Sequence, residues 1–150
     1  MKNICLWQVA IYLRKILDFG ILVDDIGIIS PYRKQTSKLR EILTSLELPL
    51  PKIGSVEEFQ GQEKPVIIVT TVRTLAEATT YVEADIIRGL GFLRSPKRFN
   101  VAVTRAMSLL VVVGDPHLLG ADSIWNYFIK HCIQLGSYVG TDLPEWLKSY

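Results

Sequence analysis

Val66-Ile-Ile-Val-Thr-Thr-Val72 is the stretch on which the fold turns. Its first half has no polar alternation, and a continuous β-branched run of this length reads as a strand buried on both faces. Ile26-Gly-Ile-Ile29 reads as a short buried strand, Leu109-Leu-Val-Val-Val113 as another strand, and Lys52 to Val56 as a further one after the breaks at Pro49 and Pro51. The segments between them carry helical spacing. Leu6, Val9, Ala10, Leu13, Ile16 and Leu17 mark an opening helix that Gly20 ends. Leu39, Ile42, Leu43 and Leu46 mark a second, for which Ser30 offers a cap and Pro31 the first helical position. Ser95-Pro96 repeats that start ahead of Phe99, Ala102, Val103 and Ala106. A last helix, capped by Asp122 or Ser123, turns Trp125, Phe128, Ile129 and Cys132 inward and ends at Gly136. Strands alternating with helices predict an α/β fold, a doubly wound and mostly parallel sheet with flanking helices.

At 150 residues the chain is one domain by size, with residues 1–20 as its first helix and 139–150 as a tail. It is 49% apolar and 21% charged, as ordinary globular domains are. A net charge of +2 permits contact with nucleic acid without requiring it. Cys5 and Cys132 have no CxxC spacing and read as buried, reduced thiols, which points to the cytosol or nucleus. The apolar start is not a signal peptide, because Gln8 interrupts it and Arg14-Lys15 follows with no small-residue cleavage site. No run reaches the ~18 apolar residues of a membrane span, so no membrane partner is expected. Thr74 to Arg94 is longer than connections in compact domains usually are, and reads either as a short helix near Leu75 to Thr80 or as a binding loop.

Open α/β sheets bind ligands beyond the carboxyl ends of their strands, which draws attention to Ser30 to Arg33, Glu57 to Glu63, Arg73 and Asp115 to His117. On the helix starting near Pro96, Arg98 and Arg105 fall on nearly one line, ~10 Å apart along the axis. There they either grip phosphate in a neighbouring cleft or pair on the surface with Glu57, Glu58 or Asp85. In Phe59-Gln60-Gly61, the glycine either relieves a turn or lets backbone approach a phosphate, with Glu63 accepting from a sugar hydroxyl. Ser30-Pro31-Tyr32 starts a helix, whose N-terminus also suits phosphate while Tyr32 suits a base. His117 and His131 lack partners at ligand spacing and read as structural, and no metal site of the chain's own is expected.

Two absences decide more. The sequence contains no GxxxxGK[ST] loop to hold the β and γ phosphates and place Mg²⁺. No strand ends in an Asp-Glu pair that would hold the metal and position water. Alone, the chain is expected not to hydrolyse ATP.

Three segments carry a family resemblance. Ile28-Ile-Ser-Pro-Tyr-Arg-Lys-Gln35 resembles motif IV, Gly54-Ser-Val-Glu-Glu-Phe-Gln-Gly-Gln-Glu63 motif V, and Asn100-Val-Ala-Val-Thr-Arg-Ala106 motif VI of superfamily 1B helicases related to the nonsense-decay helicase. The wording of the second, with Gly91-Phe-Leu before the last, most resembles the Armitage group of RNA helicases from RNA silencing and antiretroviral defence. The likeness runs from about Asp25 to Tyr138. It implies the second of two RecA-like domains, with ATP and Mg²⁺ in the cleft shared with a Walker-bearing first domain. By resemblance, Arg105 is the arginine finger, Gly61 lies near the γ-phosphate, Glu63 contacts the ribose, Gln60 is a further nucleotide-binding residue, and Arg98 makes a phosphate or interdomain contact. Ser30, Pro31, Tyr32, Ser55, Thr71 and Arg73 fall where such domains face single-stranded RNA. The resemblance also implies 5′-to-3′ stepping, a cytoplasmic setting and RNA-silencing partners. The family's first domain is not in the chain, so a fragment, a truncated product and an isolated module remain open. A DNA helicase domain of the same superfamily and a non-catalytic RNA- or protein-binding module are the rival readings.

Overall fold

Four parallel strands in the order β2-β1-β3-β4 form the only sheet among the described residues of this computed structural model. The described residues are 4–31, 33–71 and 95–140, with Asp142 and Glu145. The elements run α1 (Ile4–Asp18), β1 (Ile26–Ile29), α2 (Arg33–Ser45), β2 (Lys52–Gly54), β3 (Lys64–Thr70), α3 (Pro96–Val103), β4 (Ala106–Val113), α4 (Pro116–Leu119) and α5 (Ser123–Gln134). Single 3₁₀ turns, Val23–Asp25 and Glu57–Phe59, precede and follow parts of the sheet.

The topology follows from crossover handedness. From β1 the chain moves outward to β2 through α2 on one face. It then returns past β1 to β3 through the 3₁₀ turn Glu57–Phe59 on the other face, and continues through α3 to β4. Reversing direction while changing face keeps each parallel crossover right-handed. Under the first face, Val9, Leu13 and Ile16 of α1 and Leu39 and Leu43 of α2 meet Ile26, Ile28, Ile53, Val66 and Ile68. On the second, Val56, Phe59 and Ala102 meet Ile29, Ile67 and Val69. Phe99 of α3 then packs edge-on against Trp125 of α5 at 4.8 Å between ring centroids, joining α4 and α5 to that layer. The doubly wound parallel sheet read from the strand runs is therefore the fold, and the central strands β1 and β3 are the buried ones.

Several boundaries differ from the expected ones. The strand expected over Lys52 to Val56 stops at Gly54, because Ser55 turns the chain into a 3₁₀ turn. The strand expected over 66–72 covers Lys64–Thr70. Ser30 does not cap a helix and Pro31 is not its first residue, since α2 begins at Arg33 and the Ser30 hydroxyl makes no hydrogen bond. Ala106, expected on a helical stripe, opens β4. Ser95 does cap α3, accepting from the Arg98 N–H at 3.4 Å, and Asp122 caps α5. Asp115 caps the short α4, which was not foreseen. Cys5 is buried as expected, but Cys132 is only partly so. Its thiol is nonetheless pushed up by what burial it has, against a hydrogen bond from Ser137. Tyr32, Arg73 and the stretch 74–94 lie outside the described residues, as does most of the 139–150 tail.

The second face depends on two missing side chains. A Cβ on Gly27 would stand 2.6 Å from Phe59 Cε1 and 2.8 Å from Ile67 Cδ1, and one on Gly54 would stand 2.8 Å from Glu58 Oε2. Segment 55–63 thus lies directly on bare backbone. Gly27→Ala is expected to destabilise the chain by about 1–3 kcal/mol through overpacking beneath a fully buried ring, measured as a lower urea midpoint with unchanged m value.

Candidate functional site

The candidate residues separate onto opposite ends of the strands. The Gln60–Glu63 segment was expected beyond a carboxyl strand end, but it lies at the amino end of the sheet. The reason is that segment 55–63 has already crossed the face before Lys64 opens β3. There the Lys64 N–H donates to the Arg105 carbonyl at 3.0 Å, and the Lys64 ammonium reaches the Asp24 carbonyl. One lysine therefore joins the starts of β1, β3 and β4. Glu63 and Arg105, far apart in sequence, become neighbours through its backbone.

Gly61 sits at φ 70°, a left-handed conformation that glycine adopts without strain, and no atom would crowd a Cβ there. The requirement is conformational and leaves the backbone open to a ligand. Gln60, Gly61, Gln62 and Glu63 are all exposed.

Arg105 is not on the helix with Arg98. Helix α3 ends at Val103, Thr104 caps it, and Arg105 stands in the turn before β4. Its Nε donates to the Val101 carbonyl at 3.1 Å and its Nη2 to Thr104 Oγ1 at 3.1 Å. The guanidinium thus rests on a helix C-terminus, where free carbonyls favour a cation.

Arg98 lies in the first turn of α3, at the carboxyl end of the sheet. Its Nε meets Glu57 Oε1 at 2.9 Å, with the two side chains 47% and 49% exposed. The surface pairing with Glu57 that periodicity left open is the one observed, and the Arg98–Arg105 line is replaced by two arginines at opposite ends of a helix. The Glu57 carboxyl is held below its ordinary value by its own backbone N–H, against the effect of burial, with smaller contributions from Ser55 and Arg98.

At the carboxyl end, Ser30, Ser55 and Thr71 come together but do not display their hydroxyls. Ser55 and Glu58 form a capping box around the 3₁₀ turn: Glu58 Oε2 accepts from the Ser55 N–H at 2.6 Å and Ser55 Oγ accepts from the Glu58 N–H at 3.4 Å. Thr71 Oγ1 donates to the Val113 carbonyl at 3.3 Å, and a Cβ on Gly114 would stand 2.2 Å from that oxygen. Ser30 is fully buried, and its hydroxyl and that of Thr70 have no partner. The β1–β3 register pairs Ile29 with Val69, so Ser30 and Thr70 stand next in line. This is the point where the chain leaves β1 for one face, and it is where doubly wound sheets place ligands. Gln35 on the first turns of α2 adds an unpaired buried oxygen on the same face as Leu39. Pro31 is half-buried beside them.

Sequence reading missed Thr70, Gln35, Lys52 and Lys64. Gly27 inside Ile26-Gly-Ile-Ile29 was the available signal for the last two, because a glycine within a β-branched run marks a close approach of another segment. His117 and His131 are exposed on α4 and α5. No three His, Cys, Asp or Glu side chains converge as metal ligands among the described residues, and no described helix is long and apolar enough to cross a membrane.

A family profile described as "AAA domain" matches residues 6–117. "Probable RNA helicase armi" of Drosophila melanogaster is 41% identical over 145 residues, covering 97% of this chain and 12% of that protein. "RNA helicase Mov10l1" of Homo sapiens is 46% identical over 129 residues, covering 86% of this chain and 10% of that protein. "ATP-dependent helicase upf1" of Schizosaccharomyces pombe is 34% identical over 126 residues, covering 80% of this chain and 12% of that protein. The chain thus spans about an eighth or less of the length of these relatives. The resemblance to the Armitage group and to the nonsense-decay helicases, read from the three motif segments, is borne out by them.

The Glu57 carboxyl, lowered chiefly by its own backbone N–H and less by Ser55 and Arg98, carries a pH signature. A carboxyl whose folded pKa is depressed stabilises the fold fully above its unfolded value and loses that contribution as pH falls through the folded value. Glu57→Gln is therefore expected to cost under about 1 kcal/mol at neutral pH, since solvent screens a half-exposed pair, and the gap from wild type should close below the ordinary value of 4.5 in urea titrations.

Proposed function

We propose, for a chain that belongs to the AAA domain family, that it is the carboxyl-terminal motor domain of an ATP-dependent RNA helicase. Its amino sheet edge serves the nucleotide and its carboxyl edge serves single-stranded RNA. The observation that carries this reading is the Lys64 N–H bond to the Arg105 carbonyl at 3.0 Å, which brings the ends of the Gly54–Glu63 and Asn100–Ala106 segments to one edge. In that arrangement Gly61 and Gln60 offer open backbone to a terminal phosphate, Glu63 accepts from a ribose hydroxyl, and Arg105 turns from Val101 and Thr104 to the γ-phosphate. Arg98, at the other end of α3, serves better as a contact near RNA or as a brace on Glu57 than as a second phosphate ligand.

A nucleotide held only by these groups lacks a cradle. Glu63 is the one carboxylate of Gln60–Glu63, whereas Mg²⁺ takes near-octahedral oxygen ligands and substrate phosphates, so metal and phosphate loop belong to a Walker-bearing first domain. Phe19, Leu22, Leu50 and Met107 are large apolar side chains exposed at or near the same amino edge. Exposed apolar side chains at the edge that carries an incomplete nucleotide site support docking of that domain there. Closure would bring Arg105 onto the phosphate and opening would withdraw it, which couples hydrolysis to 5′-to-3′ stepping. The names of two relatives, both RNA helicases, favour RNA as the track. RNA silencing or surveillance in the cytoplasm is the setting that the resemblance of the three motif segments implies. On the RNA side, Ser30 and Thr70 at the β1–β3 crevice and the neighbouring backbone form the floor, with Ser55 and Thr71 shaping it.

The test is RNA-stimulated ATP hydrolysis by the chain alone, by the chain joined to a Walker-bearing first domain, and by that pair carrying Arg105→Ala. Turnover is expected only in the unmutated pair, with Arg105→Ala lowering it by ~10³ to 10⁵. Equal turnover in the Arg105→Ala pair would remove the arginine finger, and a silent pair that demonstrably associates would leave a binding module.

A further inference from the structure

Lys52 stands outside every motif, yet it touches the nucleotide-side segment at three points. It is the first residue of β2, at the amino edge, and its strand neighbour across β1 is Gly27, the glycine beneath Phe59. Its ammonium lies 4.8 Å over the centroid of the buried Phe59 ring. It donates to the Glu58 carbonyl at 2.9 Å and also to Gln62 Oε1. A half-buried lysine with its head on two oxygens and a ring face is held in direction by charge-assisted bonds and a cation–π contact together.

We propose that Lys52 is a positioning residue that sets the Gln60–Glu63 segment against Arg105. The proposal rests on the nucleotide reading of that edge. Segment 55–63 is pinned at the carboxyl end by the Ser55–Glu58 capping box and by Glu57 on Arg98. After Phe59 it has no regular structure until Lys64. The turn bonds there are local, from Gln60 N to Glu57 O at 3.2 Å and from Gln62 N to Phe59 O at 3.1 Å. Lys52 ties this stretch to another strand, and its grip on the Glu58 carbonyl and the Gln62 side chain brackets Gly61 from both sides. A ligand approaching the Gly61 backbone therefore meets amides whose direction Lys52 has already set, which lowers the ordering cost of binding.

Two measurements test this. In the 150-residue chain, amide hydrogen exchange compares wild type, Lys52→Met, Lys52→Arg and Gln62→Ala. In the chain joined to its Walker-bearing domain, steady-state hydrolysis of ATP gives KM and kcat for the same variants and for Arg105→Ala. Lys52→Met is expected to speed exchange at Gln60 and Gln62 about tenfold while β1 and β3 amides keep their rates. It should raise KM for ATP roughly five- to tenfold with kcat changed less than about twofold, as loss of ground-state positioning does. Gln62→Ala should move both in the same direction by less, and Lys52→Arg should restore them. Unchanged exchange in Lys52→Met overturns the proposal regardless of nucleotide. Faster exchange with unmoved KM, while Arg105→Ala abolishes turnover, overturns the positioning role and leaves the nucleotide edge standing. Full turnover in Arg105→Ala removes the nucleotide reading and this proposal with it.

Discussion

Phe59 lying on Gly27 is the contact on which the rest of the arrangement depends. A fully buried ring occupies the space a β-carbon would take, so the short segment from Ser55 to Glu63 can cross the sheet face at the closest approach backbone allows. The second bare position, Gly54 under Glu58, does the same for the entry to the crossing. Because β2 and β3 are parallel, this crossing starts with Ser55 at the carboxyl edge beside Ser30 and ends with Gly61 and Glu63 at the amino edge beside Arg105. Packing of the Phe59 ring fixes how closely it lies on the sheet.

The same segment is held at both edges of the sheet. Its start is fastened by a capping box and an ion pair, and its end by Lys52 and by the backbone bond from Lys64 to Arg105. Helix α3 runs parallel to the same route, with Arg98 at one end and Arg105 at the other, so the two elements that join the edges are themselves joined by Glu57–Arg98 and by Phe59 against Ala102. The core on the opposite face, where α1 and α2 cover β1 and β3, is more uniformly aliphatic and provides the stiff support.

Much of this was legible in the residues. Ile26-Gly-Ile-Ile29 and Val66-Ile-Ile-Val69 announced buried parallel strands, and Leu109 to Val113 a further strand, which lies at the sheet edge with only Val113 buried. Ser95-Pro96 announced a helix start, and Ser95 caps it. The motif segments announced which residues to examine. What misled was local analogy. Ser30-Pro31 looks like Ser95-Pro96, but Ser30 still follows β1, donating its N–H to Gly54, and the helix waits until Arg33. Arg105 looked like a continuation of the stripe after Arg98, but Thr104 returns its hydroxyl to Asn100 and closes the helix first.

By itself, then, the sequence determined the alternation of strand and helix, the parallel sheet, the absence of a phosphate loop and the family to which the chain belongs, because each is written in short-range pattern. Only the tertiary structure decided that Glu63 and Arg105 share one edge while Ser30, Thr70 and Arg98 lie at the other, and that Lys52 belongs with the first group. Those are facts of crossover path and strand direction. Residue spacing cannot carry them, because a crossing segment reverses which end of the sheet its last residues occupy, and its route depends on whether the strands beneath leave room for it.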